Sequence, residues 1–359
     1  MFNKYKGFLY IYLIYVIIIL TVVIININQM ELFRIAISIV LIVSPLAIGI
    51  GYKVNLNTFY KIIIVSMIIT GLYSLLQWTI GIEATKIPGL NIAYGDTFAD
   101  KPIGYGAGGM EALKMPSTYQ NGNGVALFFL LALFLIIPWK TNKKGIKFVA
   151  ILFAIIGILL SGSRSALIPF ILLVPYAIKK IYDILKTKKQ KIIMILFLIV
   201  GISSLLVYLI YSKSELVEYM FNRYIVQTIM DPTGSGRTTQ IQEVIESITN
   251  QNFILVIKSL ILGNDWENVV ASEGIFYFVS FYGIICAIAF CVLLLYPISK
   301  LYKNNKIEVL GLIAVFIAFM VDSSFNYPPG LMNYFLIVGV MFQRQRIREK
   351  EKNKEKELK

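Results

Sequence analysis

The chain has 359 residues, 57% of them hydrophobic, with a mean hydropathy of +0.74. Its 34 Lys+Arg against 20 Asp+Glu leave a net charge of +14; there is no histidine, and the two cysteines, Cys286 and Cys291, share one apolar run. These figures exclude a soluble protein, acid–base chemistry on histidine, zinc sites built on histidine and a disulfide framework.

Apolar runs fall at 8–27, 35–51, 62–80, 122–139, 148–162, 164–178, 192–211, 273–298, 307–325 and 329–343. Repeated runs of about 20 residues are long enough to cross ~30 Å of hydrocarbon. The first follows Lys4 and Lys6 in the manner of a signal peptide. Its apolar part is too long for a signal core and no small-residue cleavage pattern follows, so it is expected to be the first helix. The fifth and sixth runs are short and meet at SGSRS, residues 161–165, which reads as the hinge of a helical hairpin. The expected fold is an all-α polytopic membrane protein of about ten transmembrane helices, one domain over 1–343, with a charged tail over 344–359.

Lysine-rich connections at 140–147, 179–191 and 299–306, together with the tail, alternate with lysine-poor ones. With both termini cytoplasmic, the inner segments hold 25 of the 34 basic residues and the outer ones nine, while acids divide six inside and fourteen outside. That is the asymmetry of the positive-inside rule. The net charge therefore reflects topology in a lipid bilayer, not nucleic-acid binding. The mixed-charge tail reads as a solvated or headgroup-facing helix or coil.

Two outer loops are large. Residues 81–121 are rich in Gly, Pro and Tyr, with few helix signals. Residues 212–272 contain DPTGSGR and then a stretch whose first half reads as a helix capped by Thr238 or Thr239. Its second half is apolar enough to lie on the bilayer surface. Chemistry, if present, is expected on the outer face.

Arg164 lies at the outer end of the hairpin. It is either a snorkelling anchor or part of an anion site, for which the flanking Ser163 and Ser165 supply hydroxyls. Arg223 and Arg237 flank Gly234, Ser235 and Gly236, a segment able to turn backbone N–H groups toward an anion unless it is a plain surface turn. Arg34 reads as an anchor. Glu273, with Asp265 and Glu267 nearby, marks where the large loop re-enters the apolar sequence; it is a candidate general base or a hydrated juxtamembrane acid. Asp322, in FMVDSSFNYP, is a second membrane-edge acid. No D-x-D pair lies in a polar outer loop, so no metal or other cofactor is expected. Arginines would then be the groups that offset the charge of an anionic ligand or leaving group. Tyr94, Tyr105 and Tyr119 are aromatic surfaces for a ligand or interface-belt residues.

Four segments together resemble the O-antigen polymerase/ligase superfamily of bacterial membrane proteins. SGSRSAL at 161–167 resembles its S-x-S-R-[GS]-A segment. YQNGNGVALFFLLAL at 119–133, with Asn123, resembles its N-P-N-x-x-A helix entry, Gly122 standing for the usual proline. DPTGSGR at 231–237 resembles the element that opens the large loop, and 262–285 resembles the loop's exit. The resemblance implies a GT-C-like glycosyltransferase of the bacterial cytoplasmic membrane, acting at the outer face on an undecaprenyl-diphosphate-linked oligosaccharide, with flippase and chain-length regulator proteins as partners. It implies diphosphate binding by Arg164, Arg237 and Arg223. Ligases of the superfamily carry a His-Asn pair where this chain has Ser272-Glu273, which favours a polysaccharide polymerase over a ligase. A flippase or transporter of lipid-linked saccharides is the third reading; ionisable residues at span edges beside a large loop weigh against it.

Overall fold

The computed structural model describes residues 6–82, 84–85, 87, 114–119, 121–184, 187–189, 191–192, 196, 218, 221–230, 237–264 and 272–357. Among them every regular element is helical. In chain order these are α1 (Lys6–Asn26), α2 (Leu32–Val43), α3 (Ala47–Gly51), α4 (Leu56–Ile80), α5 (Gly122–Ile136), α6 (Lys144–Leu160) and α7 (Arg164–Ile184). After the large loop begins come α8 (Gln227–Met230), α9 (Arg237–Thr249), α10 (Phe253–Leu262), α11 (Ile275–Leu301), α12 (Glu308–Val321) and α13 (Pro328–Glu357).

Among the described residues four stretches are long and apolar enough to cross a membrane: Lys6–Gln29, Leu32–Gly51, Leu56–Ile80 and Ile275–Leu301. Helices α5, α10 and α12 are apolar but shorter. Most of the run expected at 192–211 lies outside the described residues. Asparagine starts three helices: the side chains of Asn55, Asn121 and Asn252 accept from the backbone N–H of Thr58, Gly124 and Leu255 at 3.1, 2.8 and 3.0 Å. Each satisfies a donor that the first helical turn would otherwise leave unpaired.

Helix α5 forms the centre, with every residue from Val125 to Ile136 buried. A helix apolar all round needs neighbours on all sides, and α4, α6, α7, α12 and α13 supply them. Glycines set the closest approaches. A Cβ on Gly157 of α6 would lie 2.1 Å from the Phe129 ring, and one on Gly51 of α3 would lie 2.0 Å from the Leu336 carbonyl of α13. Small residues of this kind let apolar helices pack backbone to backbone.

Among the described residues, 140–147, 299–306 and the tail gather at one end of the bundle. There Tyr60 stacks on Trp139 at 4.9 Å, Lys147 donates to the carbonyls of Ile137 and Trp139 at 2.7 Å, and Tyr176 meets Tyr302. Arg344 and Arg348 join them there. The tail does not detach as coil: α13 runs on to Glu357, and Arg344 donates to Glu308 at 2.5 Å and to the Tyr60 hydroxyl at 3.3 Å. Arg348 reaches the Asn304 carbonyl and Asn305. Glu308 is buried, so its charge depends on these arginines.

The 27 residues of α11 do not form a straight rod. Gly283 has φ +82° and ψ 166° inside it. The rings of Phe278 and Phe290 stack 4.2 Å apart across that break, whereas twelve residues of straight helix separate two positions by about 18 Å. The expected span over 273–298 is therefore a short entry helix bent back against a longer segment that begins at Ile284.

Arg344→Ala, which strands the buried Glu308 carboxylate, is expected to cost about 3–5 kcal/mol. Thermal unfolding in detergent measures this, and Arg344→Ala combined with Glu308→Leu should recover much of the loss.

Candidate functional site

The other end of the bundle collects the start of α5, the hinge between α6 and α7, the start of α9, the entry to α11 and the residues just after α12. The hinge is held by its own serines. Ser161 donates to the Ile158 carbonyl at 2.6 Å, the Ser163 N–H donates to Ser161 Oγ at 3.2 Å, and the hydroxyls of Ser163 and Ser165 meet at 3.1 Å. All three serines are buried. Gly162, at φ +63°, makes the turn, and Arg164 follows as the first residue of α7, half-buried. Two neighbours tie the hinge down. The Met115 N–H donates to the Leu160 carbonyl, and Gly122 sits so close that a Cβ would lie 2.0 Å from the Ser161 carbonyl. A proline ring at Gly122 would meet that carbonyl, a packing reason for glycine here.

Helix α12 ends at Val321, and Asp322 takes an extended conformation (φ −143°, ψ 134°). It is only 3% exposed. Its Oδ1 accepts from both the N–H, at 2.9 Å, and the hydroxyl of Ser324, an aspartate-centred turn. Its Oδ2 accepts from Asn123 Nδ2 and from Arg237 Nη2, the latter at 3.4 Å. Asn123 is held from its other side by Lys114, whose Nζ donates to Oδ1 at 3.2 Å. Arg237 in turn donates from Nε to Glu273 Oε2 at 2.9 Å, and its Nη2 lies 2.8 Å from the same oxygen. The result is a continuous polar chain, Lys114–Asn123–Asp322–Arg237–Glu273, with two formal positive and two formal negative charges.

The two carboxylates on Arg237 differ. Asp322 is walled in by Asn123 and Ser324, while the Glu273 side chain is 44% exposed at the rim. Glu273 precedes Gly274, whose N–H donates to Ser323 Oγ at 3.0 Å. Gly274 has φ +63°, and a Cβ there would lie 2.3 Å from the Met320 carbonyl. Only glycine fits this crossing without strain.

Beside the cluster a groove of about 660 Å³ runs between α4 and the start of α13, with α5 as its back wall. Phe59, Ile62 and Ile63 line its apolar end; Thr118, Asn121 and Ser324 line the end at the cluster. Tyr119 borders it, stacked on Phe128 at 5.7 Å and accepting from Asn333 at 3.3 Å. Burial pushes the Tyr119 phenol well above its ordinary pKa. The exposed Ile62 marks the groove's open flank.

Of the expected site residues, Arg237, Glu273 and Asn123 come together. Arg164, Ser163 and Ser165 occupy the adjoining hinge, and the serine hydroxyls bond each other there. Arg223 lies in a π-helical turn, Asn222–Val226, that is pinned to the hinge where Tyr224 donates to the Leu159 carbonyl at 2.7 Å. Gly234, Ser235, Gly236, Asp265, Glu267, Tyr94 and Tyr105 lie outside the described residues. One expectation is corrected: α9 begins at Arg237 itself, so Thr238 and Thr239 are first-turn residues rather than caps. Arg34 is packed, its guanidinium 4.1 Å from the centre of the Phe281 ring. Sequence reasoning left Asp322 and Lys114 outside the site. An acid within membrane-grade sequence was the signal available for Asp322; Lys114 carried none.

Comparison with models of protein families, with curated proteins and with solved structures finds no match.

Gly274→Ala is expected to destabilise the fold by about 1–3 kcal/mol through overpacking against Met320. Gly81→Ala, at φ +101° and ψ 150° but facing open space, should cost about 1–3 kcal/mol through backbone strain alone. Paired thermal melts in one detergent separate steric from backbone cost.

Proposed function

We propose that the protein is a cell-surface polysaccharide polymerase, a GT-C-like glycosyltransferase of about ten transmembrane helices. It joins undecaprenyl-diphosphate-linked repeat units at the outer face of the bacterial cytoplasmic membrane, with both termini cytoplasmic. The observation that carries this reading is the arginine shared between a buried and a rim carboxylate, beside a mostly apolar groove whose polar end is lined by Ser324, the residue that donates to Asp322. A lipid with a charged head and a long hydrocarbon tail has both parts matched by that arrangement. The sequence resemblance at 119–133, 161–167, 231–237 and 262–285 supplies the reaction class; in its support, Asn123 and Arg237 both donate to Asp322, and Arg237 also donates to Glu273.

In this reading the diphosphate takes the rim side of Arg237, displacing Glu273. Asp322 stays as the buried counter-ion, and Arg164 adds a second positive group from the hinge. The prenyl chain lies in the groove between α4 and α13. The acceptor hydroxyl of a second repeat unit attacks the anomeric carbon of the donor. A new C–O bond forms and the anomeric C–O bond to phosphorus breaks, its electron pair leaving on undecaprenyl diphosphate. The hydroxyl proton passes to the released Glu273 carboxylate. Gln240 Oε1, Ser272 Oγ and Asn326 Oδ1 are buried with no hydrogen-bond partner among the described residues. They are acceptors that sugar hydroxyls could satisfy.

The test is reconstitution of the purified protein with undecaprenyl-diphosphate repeat units, resolved by length on a gel. A ladder is expected; a single transfer to a distinct acceptor would indicate a ligase, and no transfer with a competent substrate would favour transport. Arg237→Ala should lower kcat by about 10²–10³ through lost leaving-group stabilisation, and Glu273→Gln by about 10²–10⁴ through lost base catalysis. Thr70→Trp, which fills the groove, should raise KM more than it lowers kcat. An Arg164→Ala protein that folds and keeps full activity removes Arg164 from the diphosphate site.

A further inference from the structure

The large loop carries an apolar surface that the site does not use. Helix α10 exposes Phe253 and Ile254 at 77% and 78%, with Ile257 and Ile261 following on the same face. Positions 253, 254, 257 and 261 form one helical stripe. Its opposite side is fastened to α9 by polar bonds. Ser259 donates to Gln251 Oε1 at 2.9 Å, Gln251 Nε2 donates to the Ser247 carbonyl at 2.7 Å, and Asn264 Nδ2 donates to Ser247 Oγ at 2.9 Å. The two helices are thus a locked hairpin, with Arg237 as the first residue of α9.

The far end of α10 fixes where the stripe lies against the rest of the fold. It docks at the break in α11, glycine against glycine. A Cβ on Gly263 would lie 2.6 Å from the Phe281 carbonyl, and one on Gly283 would lie 2.4 Å from the Ile261 carbonyl. The Asn264 N–H donates to the Ser280 carbonyl at 2.8 Å. Directly beyond the break, Ile284, Ile285 and Ile288 are exposed on a stretch long and apolar enough to span a membrane. The stripe of α10 therefore adjoins the face that this span turns to hydrocarbon. Ten residues of helix measure about 15 Å, half of what crossing requires, and the outer face of α9 carries the exposed Glu243 and Glu246. This is the pattern of a helix lying in the membrane surface.

We propose that α10 lies in the outer edge of the bilayer, its Phe253–Ile261 stripe among the acyl chains, and that the locked hairpin thereby sets the depth of Arg237 at the level of lipid head groups. The occupant of the stripe is the lipid bilayer, not a second protein. This rests on the membrane location of the chain and not on the reaction proposed above.

The test is spin labelling of the full-length protein in nanodiscs of phosphatidylethanolamine and phosphatidylglycerol. Single cysteines at Ile254, Ile257, Phe253 and Glu243 are placed in a Cys286→Ala/Cys291→Ala background. Labels at 253, 254 and 257 are expected to collide more often with dissolved oxygen than with a water-soluble nickel chelate, and the label at 243 to do the reverse. Nickel access at 254 and 257 overturns the proposal, as does exclusion of both reagents with dipolar broadening, which means a second copy covers the stripe. With Ile254→Asp and Ile257→Asp added, the label at 243 should become at least twofold more mobile; unchanged mobility overturns the coupling to α9.

Discussion

A carboxylate buried at the end of an apolar helix is the constraint on which this architecture turns. Helix α12 carries fourteen residues with an acid at its start, Glu308, and another directly after its end, Asp322. Burying a carboxylate in apolar surroundings is costly unless donors surround it. At the helix start Glu308 is helped by the positive end of the backbone dipole, and Arg344 completes the pairing. At the other end the dipole opposes a negative charge. Asp322 therefore needs more donors, and it takes them from Ser324, from Asn123 at the start of α5 and from Arg237 in the large loop. One requirement for charge compensation gathers segments that lie up to two hundred positions apart in the chain.

That dependence separates what the chain revealed locally from what it concealed. The helices follow from uninterrupted apolar runs bounded by Asn caps and lysine-rich turns, and these are features of neighbouring residues. The alternation of charged connections placed 140–147, 299–306 and the tail on one side, and the contacts of Trp139, Tyr60, Arg344 and Arg348 join those segments at one end. Glu273 and Arg237 were readable as isolated candidates. Their mutual ion pair was not, because 36 positions separate them and the intervening helices determine the approach. The break at Gly283 was hidden for the same reason: it exists because Gly263, twenty positions earlier, must pass within van der Waals distance. Asp322 was visible as a misplaced acid, but its standing as the hub depended on Asn123, whose side chain points at it from the first turn of a different helix.

The serines of the hinge show how one signal supports two physical roles. Hydroxyls beside an arginine can bind an anion, and they can equally satisfy the backbone groups freed where two helices meet. Ser161 and Ser163 serve the second role, accepting or donating within three residues of themselves. A polar break in apolar sequence must first satisfy its own backbone. Arg164 then begins the next helix from a turn that is already hydrogen-bonded, which fixes where its side chain starts.

The two partners of Arg237 are unequal, and the inequality has chemical consequences. Moving Asp322 would strand four donor groups at once, since Asn123, Arg237 and both the N–H and the hydroxyl of Ser324 point at it. Moving Glu273 strands only one face of a guanidinium that water or another anion can reach. An incoming diphosphate, with more charge and more acceptor oxygens than a carboxylate, would therefore exchange with Glu273 and leave Asp322 in place. In the proposed reaction this exchange releases a base at the moment the leaving group is bound. Neither event requires the buried half of the cluster to move, so the bundle can stay packed while the rim changes partners.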